Sequence, residues 1–159
     1  MDIALLQAGQ LAPLFSLHDA DMQLVDIARF RGKKNLVLFF YPRDGTPACT
    51  LQMAEFSDHE HDFERYHTVV IGISPDDCLS HAEYRDANGV SIPLLADTEG
   101  VAGRKYGVWQ ELKANGERRV CVTRSTFVID KKGRVRHVFQ GMNPRGHVYD
   151  VLDLLKSLA

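Results

Sequence analysis

The chain has 159 residues, 45% of them hydrophobic, and a formal net charge of −2 at pH 7. That length suits one domain, residues 1–159, with a sizeable core. A charge so close to zero gives no broad attraction to nucleic acid or to an anionic membrane, and the longest apolar stretch is far too short to cross a bilayer. We therefore expect no nucleic-acid and no membrane partner.

The chain contains three cysteines, Cys49, Cys78 and Cys121. An odd and sparse set argues against a disulfide framework and favours a reducing compartment. The first residues carry no basic flank leading into a hydrophobic stretch, so no signal peptide is expected. The seven histidines are scattered, which gives no metal-ligand spacing. These observations predict a cytoplasmic protein without a metal or other cofactor.

Apolar runs and turn signals predict the elements in chain order. Two short strands, 15–17 and 23–27, form a hairpin around a polar turn, and the nearly continuous apolar run 35–41 is typical of a strand buried on both faces. The elements predicted next are a helix over about 47–65, a strand over 68–73, a helix from 76 or 77 to 87, a strand over 94–96, a helix over 98–106, a hairpin of 125–129 and 135–139, and a helix over 145–158. This order predicts an α/β, thioredoxin-like fold with a mixed central β-sheet flanked by helices.

The clearest local signal is a helix start directly after the strand 35–41. Thr46 is a good N-cap, Pro47 suits the first helical position, and Cys49 falls in the first turn. The unpaired N–H groups there and the helix dipole both stabilise a thiolate, which is the reactive form of cysteine. Cys49 is therefore the candidate nucleophile, whereas without this setting a free cysteine is more often a small buried hydrophobe.

The same residues carry a family resemblance. The pattern Pro42-x-x-x-Thr46-x-x-Cys49 resembles the active-site motif of the peroxiredoxins, and the run 40–50 resembles their bacterioferritin comigratory protein (Q-type) branch. Five further segments match that family in type and order: 30–33, 72–76, 93–97, 106–109 and 124–130. The resemblance implies a thioredoxin fold with an N-terminal β-hairpin extension.

The resemblance also implies an activity: an antioxidant thiol peroxidase that reduces hydrogen peroxide and organic hydroperoxides. In that reaction the Cys49 thiolate would attack a peroxide oxygen and become a sulfenic acid. Thr46 would contact the sulfur and the peroxide, Pro42 would shape and shield the loop, and Arg124 would stabilise the thiolate and the developing anion. Without the resemblance, Arg124 would pass for a surface arginine at a strand end. One turn after Cys49, Gln52 is expected to hydrogen-bond an arginine.

The residue that regenerates Cys49 is left open. Many Q-type relatives carry a second cysteine at a position that is Ala54 here, and another subgroup at a position that is Arg85 here. Cys78, near the start of the next helix, is the best internal candidate, and Cys121 is a weaker one. A Cys49–Cys78 disulfide and direct reduction by an external thiol are both retained, with thioredoxin or another thiol as reductant.

The sequence argues against two other functional classes. A thiol–disulfide reductase would need Cys-x-x-Cys, but position 52 is Gln. A non-enzymatic thioredoxin-fold binding module would carry an inert Cys49, against which the joint presence of Pro42, Thr46, Cys49 and Arg124 argues. We expect a monomer or a weak homodimer.

Overall fold

The computed structural model describes residues 5–158. Its central sheet has seven strands: β1 (Ser16–Asp19), β2 (Leu24–Asp26), β3 (Asn35–Phe40), β4 (Thr68–Ser74), β5 (Leu94–Ala96), and, after a separate pair β6 (Trp109–Ala114) and β7 (Glu117–Val122), β8 (Ser125–Ile129) and β9 (Val135–Gln140). The spatial order is β2-β1-β5-β4-β3-β8-β9. Strands β3, β4 and β5 run parallel, whereas β1, β8 and β9 add antiparallel pairs. The predicted mixed α/β fold with its N-terminal hairpin is confirmed.

Five α-helices flank the sheet: α1 (Pro47–Asp58), α2 (Glu60–Arg65), α3 (Cys78–Asn88), α4 (Val101–Tyr106) and α5 (His147–Leu158). The single helix predicted over 47–65 is wrong because the chain leaves helical geometry at His59, where φ is −103° and ψ is 13°. The carbonyl of His59 then starts a new set of bonds, accepting from the N–H groups of Asp62 and Phe63 at 2.9 and 3.2 Å. Neighbouring helices α1 and α2 result.

The pairing of β6 with β7 is an element that the sequence analysis did not predict. Charged and polar residues fill half of each strand without a regular apolar alternation, so no strand pattern marked them. Trp109 at its base is 7% exposed and lies against α4, with the Arg104 guanidinium 5.4 Å from its ring centroid. Trp109 is therefore a packing residue between this hairpin and α4.

The sheet separates two hydrophobic cores because successive side chains of a strand point to opposite faces. Leu36, Leu38 and Phe40 of β3 belong to the core that contains α4, whereas Val37 and Phe39 belong to the core covered by α1, α2, α3 and α5. Gly72 of β4 allows the close approach of α1, since a Cβ there would lie 2.9 Å from the Met53 methyl carbon.

The parallel strands place two connections at one end of the sheet. The loop 41–46 follows β3, and the residues 75–77 follow its neighbour β4, so both emerge at the carboxyl ends of these strands. Ligand sites of open α/β sheets lie at this end. Within residues 5–158, none of the helices is long and apolar enough to span a membrane.

Candidate active site

Helix α1 begins as its sequence predicts. Thr46 has extended backbone angles, φ −71° and ψ 145°, and its Oγ1 accepts a hydrogen bond from the Cys49 backbone N–H at 3.3 Å. Pro47 is the first helical residue. Cys49 therefore lies in the first turn, with a side chain that is only 1% exposed.

Burial and polar neighbours act in opposite directions on the Cys49 thiol. Burial is the largest influence and raises the pKa of Cys49 above its ordinary value, because it removes water from the thiolate. The Thr46 hydroxyl, the positive charge of Arg124 and the Arg43 backbone N–H each lower that pKa, whereas the Asp44 carboxylate raises it. The net direction is upward, opposite to the direction expected from the helix start alone.

Arg124 lies between β7 and β8, near enough to Cys49 for its charge to favour the thiolate. The fold therefore brings Arg124 to the cysteine from a segment 75 positions away, as the resemblance implied. Pro42 lies at the start of the loop after β3 and is exposed to solvent.

The hydrogen bond predicted for Gln52 is wrong. Gln52 is 1% exposed, and neither its amide nitrogen nor its amide oxygen has a partner among the described residues. Nη1 of Arg124 is also buried without one. Gln52 and Arg124 Nη1 are thus withdrawn from water without a hydrogen bond between them.

A buried pair of polar side chains beside the loop was not predicted from the sequence. Asp44, in the middle of the motif, is paired with His81 of α3, whose Nδ1 lies 2.8 Å from Asp44 Oδ2. A histidine on the apolar face of α3, between the buried Tyr84 and the N-cap Asp77, was the available signal. A sequence alone does not show which acidic residue such a histidine meets.

All three cysteines are free thiols. Cys78 is the first residue of α3 and half-buried, and Asp77 caps that helix by accepting from the Ser80 N–H at 2.8 Å. Cys121 lies on β7 opposite Gln110. Cys78 and Cys49 lie at the same end of the sheet, since β3 and β4 are parallel neighbours.

A large cavity lies away from this chemistry. It has a volume of about 580 Å³ and is lined by residues such as Asn35, His67 and Lys131, which lie at the opposite end of β3. It contains none of the predicted site residues.

Known proteins resemble the chain over nearly its whole length. The model of the AhpC/TSA family matches residues 8–138. Peroxiredoxin Bcp of Bacillus subtilis is 32% identical over 154 residues, which covers 97% of this chain and 98% of that protein. The chloroplastic peroxiredoxin Q of Oryza sativa subsp. japonica is 34% identical over 151 residues, covering 94% of this chain and 67% of that protein.

Solved structures of related proteins share the fold of this chain. Peroxidoxin BcpB from Mycobacterium tuberculosis has a TM-score of 0.88 with 27% identity, covering 97% of this chain and 99% of that one. The bacterioferritin comigratory protein of Xanthomonas campestris has a TM-score of 0.83 with 26% identity, and 98% of each chain is covered.

A buried thiol in the first turn of a helix, at the carboxyl edge of a thioredoxin-like sheet, defines a thiol-dependent redox enzyme. The chain belongs to the peroxiredoxins of the AhpC/TSA family, on the branch of Bcp and peroxiredoxin Q, and is a thiol-dependent peroxidase. Neither an inert binding module nor a thiol–disulfide reductase is favoured by these relatives.

Proposed function

We propose that Cys49 is the peroxidatic cysteine of this enzyme. The observation that carries the proposal is the donor set around the buried thiol: the Thr46 hydroxyl, the Arg43 backbone N–H and the Arg124 charge. Donors placed where negative charge develops stabilise a transition state most effectively where water is excluded.

The reaction is a two-electron oxidation of sulfur. The Cys49 thiolate attacks one oxygen of the peroxide, the S–O bond forms as the O–O bond breaks, and the other oxygen leaves as alkoxide or hydroxide and takes up a proton. The products are a Cys49 sulfenic acid and an alcohol or water. Arg124 and Thr46 would bear the charge that builds on the peroxide oxygens, and Pro42 would shape the loop at the site entrance.

The proposed substrates are hydrogen peroxide and organic hydroperoxides. The structure of the Xanthomonas campestris relative is described in terms of alkyl peroxide reduction activity, which supports the organic substrates here. The apolar residues that surround Cys49, such as Tyr41 and Met53, fit an alkyl group better than a charged one.

A thiol must then reduce the sulfenic acid. Cys78 is the internal candidate because its helix starts beside the Cys49 loop, and a Cys49–Cys78 disulfide would then be reduced by thioredoxin. In the other route, thioredoxin or another external thiol attacks Cys49 directly. For the remaining properties we propose one domain over 1–159, a cytoplasmic setting, a monomer or weak homodimer, and neither nucleic acid nor membrane as partner.

The test is a comparison of Cys49→Ser with Cys121→Ser, both treated with one equivalent of hydrogen peroxide. Cys49→Ser should lose peroxide reduction while its far-ultraviolet circular dichroism is unchanged, whereas Cys121→Ser should consume the peroxide like the wild type. Mass spectrometry should locate the first oxidation on Cys49. Peroxide reduction by Cys49→Ser at the wild-type rate would contradict the proposal.

A further inference from the structure

The Asp44 carboxylate lies at the centre of a buried hydrogen-bond network next to Cys49. Its Oδ1 accepts from the Tyr41 hydroxyl at 2.6 Å, and its Oδ2 accepts from the Ser80 hydroxyl at 3.0 Å and lies 2.8 Å from His81 Nδ1. The Asp44 backbone N–H donates to Asp76 Oδ2 at 2.7 Å. The side chains of His81 and Asp44 are 0% and 7% exposed.

His81 lies between two hydrogen-bond acceptors. Nδ1 faces the Asp44 carboxylate, and Nε2 lies 3.0 Å from the backbone carbonyl oxygen of Leu95. Burial alone would raise the pKa of Asp44, but the hydrogen bonds from His81 and Tyr41 outweigh it and hold that pKa below its usual value. Asp44 and His81 therefore form a buried hydrogen-bonded pair.

This network joins three segments that are far apart in sequence. Asp44 belongs to the loop after β3, Asp76 and His81 belong to the connection after β4 and to α3, and the carbonyl of Leu95 belongs to β5. The oxygen and nitrogen atoms of Asp44, Asp76 and His81 lie within 4.8 Å of one another, as metal ligands would. The Asp44 carboxylate is hydrogen-bonded to His81, and Asp76 Oδ2 accepts from the Asp44 backbone N–H. These bonds favour a hydrogen-bond network that holds the loop over a metal site.

The loop held in this way supplies donors to Cys49. Arg43 and Thr46 lie on either side of Asp44, and both act directly on the thiol. Fixing Asp44 against α3 therefore limits how far the Arg43 N–H and the Thr46 hydroxyl can move. A displacement of about 1 Å at a reacting centre can cost a hundredfold in rate.

We propose that Asp44 and His81 are positioning residues of the peroxidase site, whose buried hydrogen-bonded pair fixes the loop 42–46 so that its donors meet the Cys49 sulfur. This inference rests on the proposed role of Cys49. The Asp44 carboxylate also acts through charge, because it opposes the Cys49 thiolate.

Two substitutions of His81 separate the effect of its hydrogen bond to Asp44 from the effect of its packing in the interior. The amide nitrogen of Asn occupies the place of Nδ1, so His81→Asn keeps a donor to Asp44, whereas the amide nitrogen of Gln occupies the place of Nε2, so His81→Gln keeps a donor to Leu95. Asp44→Asn removes the negative charge while keeping the side-chain shape. The measured quantities are the second-order rate constant of Cys49 with hydrogen peroxide and the pH dependence of Cys49 alkylation by iodoacetamide.

We expect His81→Gln to react with peroxide at least about tenfold more slowly than the wild type, and His81→Asn to recover much of that loss. Asp44→Asn should also slow the thiolate reaction. The pKa of Cys49 should rise in His81→Gln, where the Thr46 and Arg43 donors are held less firmly, and fall in Asp44→Asn, where the opposing negative charge is gone. Loss of packing alone would not move the pKa in opposite directions.

The matched control is the partly exposed pair of His59 and Asp62, outside the loop, whose Nδ1–Oδ2 distance of 2.9 Å is close to the 2.8 Å of His81 and Asp44. Asp62→Asn should leave both measurements unchanged. Wild-type rates in His81→Gln and Asp44→Asn, or equal losses in His81→Asn and His81→Gln, would overturn the inference while leaving Cys49 as the peroxidatic residue. A wild-type protein in which peroxide does not oxidise Cys49 would instead overturn the proposed function.

Discussion

At the scale of single residues, the reactivity proposed for Cys49 depends on a few hydrogen-bond donors because the thiol has almost no contact with water. Burial raises the pKa of Cys49, and the Thr46 hydroxyl, Arg124 and the Arg43 backbone N–H counter it. Each donor therefore carries more weight than it would at an exposed cysteine.

Arg124→Ala removes the only one of these donors with a full charge. The pKa of Cys49 should rise further, and peroxide reduction should lose roughly 3 kcal/mol of transition-state stabilisation, about a hundredfold in rate. Stopped-flow kinetics with hydrogen peroxide, and alkylation of Cys49 as a function of pH, measure both effects. Arg119→Ala, on the exposed part of β7, is the control and should behave like the wild type. Unchanged kinetics in Arg124→Ala would reduce Arg124 to a surface residue.

At the scale of elements, α3 both supports the peroxidatic loop and carries the candidate resolving thiol. His81 joins it to Asp44, and the Tyr84 hydroxyl donates to Thr50, the residue after Cys49, at 2.9 Å. A disulfide needs Cα atoms within about 7 Å, and Cys78 lies at the start of α3, where a first turn opens more easily than a helix interior. The bonds of His81 and Tyr84 would resist a movement of the whole helix away from the loop.

Cys78→Ser tests the internal route. If Cys78 resolves, the variant should react with the first equivalent of peroxide normally, fail in thioredoxin-coupled turnover, and proceed more readily to sulfinic acid. Peptide mapping after one equivalent of peroxide should find a Cys49–Cys78 disulfide in the wild type and in Cys121→Ser. Normal thioredoxin-coupled turnover of Cys78→Ser, without such a peptide in the wild type, would leave direct reduction of Cys49 by an external thiol.

At the scale of the whole molecule, the core beneath α1 and α5 contains a histidine that must stay neutral. His147 is 1% exposed and lies between the rings of Phe56 and Phe139, with its Nε2 2.9 Å from Thr126 Oγ1. Burial lowers the pKa of His147 to about 4 from its ordinary 6.5. Between these values the unfolded chain binds a proton that the folded protein does not, so stability falls as the pH decreases from about 6.5 to about 4.

His147→Gln keeps a hydrogen-bonding group for Thr126 but removes this titration. Between pH 7 and pH 5 the wild type should lose about 2 kcal/mol more of its free energy of unfolding than His147→Gln does. Urea unfolding at the two pH values measures the difference. His61→Gln alters a side chain that is 98% exposed and should keep the wild-type pH dependence. An equal loss in His147→Gln would show that His147 does not titrate in this range.

Local signals were sufficient for much of the fold and for the start of the site. The cap at Thr46, the proline after it and the apolar run of β3 are properties of adjacent residues, and each acts within one turn or one strand. The break at His59 and the pairing of β6 with β7 were not predicted because neither gives a periodic pattern of apolar residues. The break is a change of backbone angle, and polar residues fill half of each strand of the β6–β7 hairpin.

By itself the sequence determined most of the elements, the helix start at Cys49 and the family, since these depend on local patterns and on motifs in chain order. Only the tertiary structure decided how much water reaches Cys49, and therefore that burial raises its pKa. It also decided that Asp44 meets His81, while Gln52 meets no partner among the described residues. Burial and long-range pairing depend on which segments the parallel strands bring to one end of the sheet. Local sequence patterns do not determine which distant segments meet there.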